Sequence, residues 1–470
     1  MLFNSFEFLI FAIVAFLLYW LLFNRLSRHA SNAYLIVISY LFYGWCDWKL
    51  CFLLFAWTLT TWLIGLAIAH RKESHDEKGA RWLCGLSILI GIGTLVYFKY
   101  TNFFIDCVAA VLGTSPHHLN IILPLGISFY TLQMLTYTIE LCRGTMSVEK
   151  NIVTYFAAMD FFPPLLSGPI GRAKDLLPQF SRIREFDENL IVTGFRDILW
   201  GLFMKAVLAD RFGIYVDAVY GNIAQHTGTT LLVAALAYSI QIYCDFWGYS
   251  LMAKGVAEMF GIRLIQNFRR PYFATSLREF WQRWHISLST WFRDYIYIPL
   301  GGSRCRKGRA YLNLIITFLV SGLWHGAALT FCIWGLLHGL MQVVEKMLGW
   351  HKAEFKNNVV VFLRMCVTFL MVTFAWIFFR MPTTSEALTV ICKIFTQPGQ
   401  LFIDSSTMLQ MALGLVVLLS KDIVDEYMPD RFNLLSSRRF GVRLTTYVAV
   451  IISVLLFGVL DGGQFIYFQF

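Results

Sequence analysis

Charge is scarce in this chain. Only 14% of its 470 residues are Asp, Glu, Lys or Arg, against roughly one quarter in a soluble domain. No polar stretch is long enough to fold alone, which takes at least about 50 residues. A soluble enzyme and a sizeable domain outside a membrane are therefore excluded. Paired cysteines are missing as well: the ten cysteines are scattered without a C-x-x-C spacing, so neither a zinc site nor a dithiol motif is indicated and no metal is expected. Most of these thiols read as small apolar packing residues. No internal repeat of the kind that marks many secondary transporters is present. No soluble basic domain accompanies the net charge of +10, so that charge speaks for membrane topology and anionic lipid head groups, and against nucleic acid.

What is abundant is apolar sequence, at 57% of the chain. Runs of about 20 apolar residues, each able to cross roughly 30 Å of hydrocarbon, recur from end to end. They predict an all-α polytopic membrane protein with about 10–12 transmembrane helices, including re-entrant or interfacial pieces, in one membrane domain over residues 1–470. The run from Phe3 to Phe23 has no basic residue before it and no small-residue cleavage site after it, so it reads as a retained span. Short basic loops stay cytoplasmic. Arg25 and Arg28, and then Arg71 to Arg81, mark inner loops, with Gly44 to Lys49 as an outer turn and the N-terminus outside.

Two segments interrupt the apolar pattern with proline and glycine, Leu123-Pro124-Leu125-Gly126 and Phe162-Pro163-Pro164-Leu165-Leu166-Ser167-Gly168-Pro169. Proline removes a backbone donor, so such backbone at membrane depth must be buried in protein or line a wet cavity. A broken or re-entrant helix beside a cavity is expected there. Between Arg263 and Arg309 stand ten basic residues against two acids, Glu279 and Asp294. Phe280, Trp281, Trp284, Trp291, Phe292, Tyr295 and Tyr297 are interleaved with them, a pattern for amphipathic helices at the cytoplasmic face. Arg278, Arg283, Trp284 and Arg293 are the candidates for holding a phosphate-bearing carrier, since a guanidinium grips phosphate with a charge-assisted fork.

His325 is the leading catalytic candidate. It sits in Gly322-Leu323-Trp324-His325-Gly326, inside an apolar run from Leu312 to Leu340, where an imidazole is costly without a task. Burial favours the neutral, proton-accepting ring, and Gly326 permits close approach of substrate or backbone. His285 follows Trp284 on a predicted helix and is the second candidate. Asp245, in another apolar run, needs a partner, expected among the Arg and His residues of 263–325. His338 lies thirteen residues beyond His325, about 20 Å along a continuous helix, and is expected to stand apart from it.

Taken together these motifs resemble the membrane-bound O-acyltransferase family, and within it the bacterial branch of alginate and peptidoglycan O-acetyltransferases and the D-alanyl transfer proteins of teichoic acid. The resemblance covers most of the chain. It is carried by Leu123 to Tyr130, by Ser167-Gly168-Pro169 and by Asp245-Phe246-Trp247-Gly248-Tyr249-Ser250. Further carriers are Asn267-Phe268 with Arg270-Pro271-Tyr272, and Glu279-Phe280-Trp281 with Arg283 to Ser289. Arg293-Asp294-Tyr295 leading to Pro299-Leu300-Gly301-Gly302, the Trp324-His325-Gly326 motif and the ending Phe465 to Phe470 complete the set. Relatives often read Asp-Phe-Ser-Gly-Tyr-Ser-Asp where this chain has Trp247 and Leu251 at the third and seventh positions.

The resemblance implies a ring of helices around a central tunnel, with a cytoplasmic funnel leading to His325 and with His285 close by. Asp245, Trp324 and Gly326 would support the site. It implies an acyl thioester donor, acetyl-CoA or an acyl carrier protein, no bound cofactor, and a hydroxyl acceptor on a cell-surface polysaccharide. An extracytoplasmic acyltransferase partner of the SGNH-hydrolase kind would complete transfer, from a multi-pass protein of the bacterial cytoplasmic (inner) membrane. D-alanyl transfer to teichoic acid is the alternative within the family. A proton-coupled transporter using His325, Asp245 and Glu258, and a structural scaffold, are the alternatives outside it.

Overall fold

The computed structural model describes residues 1–45, 47–350, 357–428, 434–459 and 466, and among them every regular element is a helix. The motif at residues 465–470 therefore lies outside the described residues except for Ile466. Among the described residues, seven helices are long and apolar enough to cross a membrane: Phe6–Leu26, Leu50–Glu73, Glu77–Leu112, Gly228–Met259, Asn358–Arg380, Ser405–Tyr427 and Phe440–Phe457. Four more, of 17 to 19 residues, are Arg28–Gly44, Ile127–Arg143, Lys307–His325 and Leu329–Met347. The protein is an all-α, multi-pass membrane protein. The chain falls into two compact units, one of residues 1–198 and 250–265, the other of 199–249 and 266–470.

In the first unit, α1 (Phe6–Leu26) starts where the Ser5 side chain accepts from the Phe8 N–H at 3.2 Å, the usual answer to orphan donors at a helix start. It is followed by α2 (Arg28–Gly44), α3 (Leu50–Glu73), α4 (Glu77–Leu112) and α5 (Ile127–Arg143). The first proline-glycine segment is irregular, the second holds one helical turn, Phe162–Leu165, before it becomes irregular, and residues 160–170 are buried throughout. They pack on each other: a Cβ at Gly126, whose φ is +74°, would stand 2.5 Å from the Leu165 carbonyl oxygen. Non-helical backbone is thus buried in protein, as a membrane demands.

Beside it sits an acid that sequence reasoning passed over. Asp160 is fully buried and accepts from the Thr58 hydroxyl at 2.6 Å and the Tyr40 hydroxyl at 2.8 Å. Burial pushes its carboxyl up to about 7, against the pull of those two hydrogen bonds. Asp160→Ala should cost about 1–3 kcal/mol for each hydroxyl left without an acceptor, while Asp160→Asn, neutral and still accepting, should cost far less. Thermal unfolding of both variants in detergent checks this, and equal midpoints would refute it.

Helix α6 (Glu188–Phe203) passes from the first unit into the second, where a π-helical stretch, Met204–Ala209, leads into α7 (Asp210–Tyr220). Helix α8 (Gly228–Met259) begins in the second unit and ends in the first. The rest of the second unit comprises α9 (Leu277–Arg283), α10 (Ile286–Phe292), α11 (Lys307–His325), α12 (Leu329–Met347), α13 (Asn358–Arg380), α14 (Thr384–Thr396), α15 (Ser405–Tyr427) and α16 (Phe440–Phe457).

Candidate active site

The site is built on the α11–α12 hairpin. Gly326 is extended, at φ −162° and ψ 154°, and a Cβ there would lie 2.0 Å from the Phe331 ring. The helix therefore stops at His325 and the chain turns back. A Cβ on Gly322 would lie 2.2 Å from the Phe331 carbonyl oxygen, and one on Gly335 would lie 2.3 Å from that of Phe318. The two backbones touch because no side chain keeps them apart.

His325 is thereby fixed as the last residue of α11, only 4% exposed. Its ring meets Trp324 at 4.9 Å, Trp334 at 5.0 Å and Phe379 at 5.3 Å between centroids, each edge to face.

His285 is not on a helix as expected. Trp284 is extended and His285 left-handed, at φ 42°, so the pair forms the bend between α9 and α10. Asn267 holds this bend: its Oδ1 accepts from the Ser287 backbone N–H at 3.1 Å and from the Ser287 hydroxyl at 2.9 Å, and its carbonyl accepts from Ile286 N–H at 2.9 Å. A backbone N–H can only donate, so the Asn267 atom is oxygen, and the contact of 3.2 Å to His285 Nδ1 makes that nitrogen the donor. His285 Nε2 is then the acceptor. Burial pushes this imidazole down to about 3, so it is neutral. A left-handed non-glycine backbone is strained and persists where its surroundings over-determine it.

The start of α9 is pinned. Ser276 Oγ accepts from Glu279 N–H at 3.1 Å, and Glu279 Oε2 accepts from Thr275 N–H at 2.8 Å. Glu345 of α12 accepts from the N–H groups of Leu277 at 2.9 Å and Arg278 at 3.1 Å.

Aromatic rings join the histidines. Trp324 lies 6.3 Å from His285 and 4.9 Å from His325, and Trp334 lies 5.0 Å from both His325 and His338. His338 also accepts from Trp281 Nε1 at 3.4 Å. The continuous helix assumed between His325 and His338 is broken at Gly326, which folds α12 back along α11, but His338 still stands apart from His325: it packs on Phe318, about two turns before His325, with Trp334 between the two rings.

A cavity of about 760 Å³ lies among α9, α10, α11 and α12, within the usual range for a ligand site. Ser321, one turn before His325, lines it, as do Trp281, Ile286 next to His285, and Gln342, one turn after His338. Its cations are Arg278, Arg293 and Lys346. Arg293 also pairs with Asp294 at 2.7 Å.

The other two donor candidates are elsewhere. Arg283 holds Glu279 at 2.7 Å and Glu426 at 2.8 Å. Burial opposes its charge, and the two carboxylates more than offset this, keeping it above its ordinary value. Trp284 is 1% exposed, packed on Phe268, Phe280 and Trp376. Both hold the C-terminal end of α9 in place and neither lines the cavity.

Asp245 does not pair with an Arg or His of 263–325. It accepts a salt bridge from Lys205 at 2.7 Å and a hydrogen bond from the Ile466 N–H at 2.8 Å, and Lys205 also holds Asp210 at 2.8 Å. Lys205, a lone cation in the apolar run Ile198 to Ala209, was the sequence signal for this.

Comparison with known proteins gives a consistent result. The family model described as MBOAT, membrane-bound O-acyltransferase family, matches residues 34–385. The chain is 40% identical over 402 residues to the probable alginate O-acetylase AlgI of Pseudomonas aeruginosa, covering 84% of this chain and 74% of that protein. It is 39% identical over 375 residues to the protein of that name in Pseudomonas syringae pv. tomato, covering 78% and 70%. A peptidoglycan O-acetyltransferase of Helicobacter pylori is 32% identical over 414 residues, covering 80% and 76%.

Proposed function

The chain belongs to the membrane-bound O-acyltransferase family, and from that premise we propose that it passes an acetyl group from a cytoplasmic thioester to a hydroxyl destined for a cell-surface polysaccharide, with His325 as the base. The observation that carries this reading is a buried histidine at a helix end, caged by tryptophans, one turn beyond Ser321 in the wall of a cavity rimmed with cations.

The donor, acetyl-CoA or an acyl carrier protein, enters the cavity with its phosphates toward Arg278, Arg293 and Lys346. His325 takes the proton of the acceptor hydroxyl as that oxygen attacks the thioester carbonyl carbon. The C–S bond breaks, the ester forms, and the proton passes to the departing sulfur to give the thiol. The aromatic cage keeps water from competing for the carbonyl. His285 supports the far side of Trp324, and Asp245 acts at a distance through Lys205. An extracytoplasmic partner that bears this acceptor hydroxyl then passes the acyl group to a hydroxyl of the polymer, which regenerates its own hydroxyl, and the protein works in the bacterial inner membrane.

The direct test is O-acetyl content of cell-surface polysaccharide in a deletion strain, alone and complemented with the wild-type gene. Loss of acetate and its restoration support the reading. Unchanged acetate in the deletion strain sinks it and turns attention to D-alanine esters, or to transport if membrane vesicles show flux with no donor consumed.

Arg278→Gln and Lys346→Gln should each raise KM for the thioester by about 10- to 100-fold, the worth of one charge-assisted hydrogen bond to phosphate, with kcat little changed. Steady-state kinetics on membranes decide it. A fall in kcat at constant KM would assign these cations another task.

A further inference from the structure

The second unit contains a polar seam away from the histidine cage. Helix α7 carries Asp210, Gly213, Asp217 and Tyr220, and the middle of α8 carries Tyr238, Gln241 and Asp245. The spacings alternate three and four, so each set occupies one face of its helix. The chain turns between Tyr220 and Gly228, bringing the two faces together in antiparallel order.

Two contacts fix the register. Lys205 Nζ joins Asp210 at 2.8 Å and Asp245 at 2.7 Å. A Cβ on Gly213 would stand 2.8 Å from Gln241 Nε2. Tyr220 is within electrostatic reach of Tyr238 and Arg380, and Tyr238 within reach of Arg380, Asp217 and Asp245. Arg380 donates to Asp217 at 2.7 Å, with side chains 26% and 63% exposed, so this end of the seam is open.

A row of polar groups in an apolar helix pair is costly unless each is satisfied. Yet the Tyr220 and Tyr238 hydroxyls, Gln241 Oε1 and Asp210 Oδ2 are buried with no hydrogen-bond partner among the described residues. Gln241 Oε1 and an ionised Asp210 Oδ2 only accept, whereas the phenols take either role. The missing partner must therefore donate, accept, and slip between side chains that are 7% and 1% exposed at Tyr220 and Tyr238. A saccharide is too large for such a space, and among the described residues no group of three metal-binding side chains offers a cation site.

We propose that this seam is a water-binding site, a hydrated track leading from the Arg380–Asp217 opening to the buried Asp210–Lys205–Asp245 ion pairs. Buried waters with about three partners are the ordinary means of satisfying such groups. The track ends its outer course at Arg380, one residue past Phe379, whose ring packs on His325 at 5.3 Å. The last turn of α13 thus has the seam on one side and the histidine cage on the other. The proposal stands independently of the acyl-transfer chemistry.

The test is radiolytic hydroxyl-radical labelling of the full chain in lipid nanodiscs, read residue by residue by mass spectrometry. Radicals form from water, so a buried tyrosine is oxidised only where water touches it. Tyr155 is the dry reference, 0% exposed with its hydroxyl bonded to Thr61 at 2.9 Å. Tyr220 and Tyr238 should be oxidised about tenfold faster than Tyr155 if ordered water lies against them. Rates no higher than that of Tyr155 overturn the proposal. In a folded Gln241→Leu variant the Tyr238 rate should fall toward the reference, and an unchanged rate overturns the continuous track.

Discussion

Replacing His325 by alanine is expected to lower acyl transfer by about 10² to 10⁴-fold, the usual worth of a positioned general base, with the protein still present in the membrane at wild-type amount. The imidazole touches Trp324, Trp334 and Phe379, so its removal opens a hole lined by rings that also pack on one another, at 5.3 Å for Trp334 and Phe379. The cage therefore survives while the base does not. KM for the thioester should change little, because the cavity cations Arg278, Arg293 and Lys346 are untouched. His325→Gln refines the test: the amide fills most of the space and still hydrogen-bonds, yet it cannot accept a proton near neutrality. If glutamine restores turnover, His325 is a packing residue and the mechanism fails. Donor consumption and acetate on the acceptor should be followed together, with membrane expression confirmed for each variant.

The Trp324-His325-Gly326 motif was legible because membranes punish polar groups. A histidine between Trp324 and Gly326 in an apolar run stands out against its background, and the same logic found Asp245. What the sequence could not supply was the partner of each. Asp245 pairs with Lys205, forty positions upstream, and local spacing carries no signal for such a contact. The path of the chain to His338 was misjudged for a different reason. Gly326 was read as a place of close approach, which the Phe331 ring against it bears out, but its extended backbone also ends the helix, and that reversal sets Trp334 between His325 and His338. The arginine-rich segment divided for a third reason. Arg278 and Arg293 face the cavity, whereas Arg283 is held by Glu426, an acid from a distant helix. The charge of a residue is visible in sequence, while the direction of its side chain depends on where the partner lies. The membrane class and the family were legible throughout, since both rest on features spread over most of the chain.

Lys205→Met should be the most destabilising single change in the second unit. The ammonium is 4% exposed and neutralises two carboxylates, Asp210 and Asp245, themselves 8% and 2% exposed. Methionine keeps the length of the side chain but leaves both acids buried without a counter-charge, which costs about 3–5 kcal/mol when one member of a buried pair is lost. The loss reaches past the ion pairs, because Asp245 also accepts from the Ile466 N–H. Unfolding followed by size-exclusion fluorescence in detergent should show a large fall in midpoint for Lys205→Met. The sign of the second mutation then separates charge from packing. Adding Asp210→Asn to Lys205→Met removes one stranded charge and should recover part of the loss, whereas in the wild-type background Asp210→Asn removes a partner and should destabilise. Such a reversal is the mark of coupled residues in a mutant cycle. Simple additivity of the two changes would mean that Lys205 is held by packing alone, and that the carboxylates are already solvated from the seam beside them.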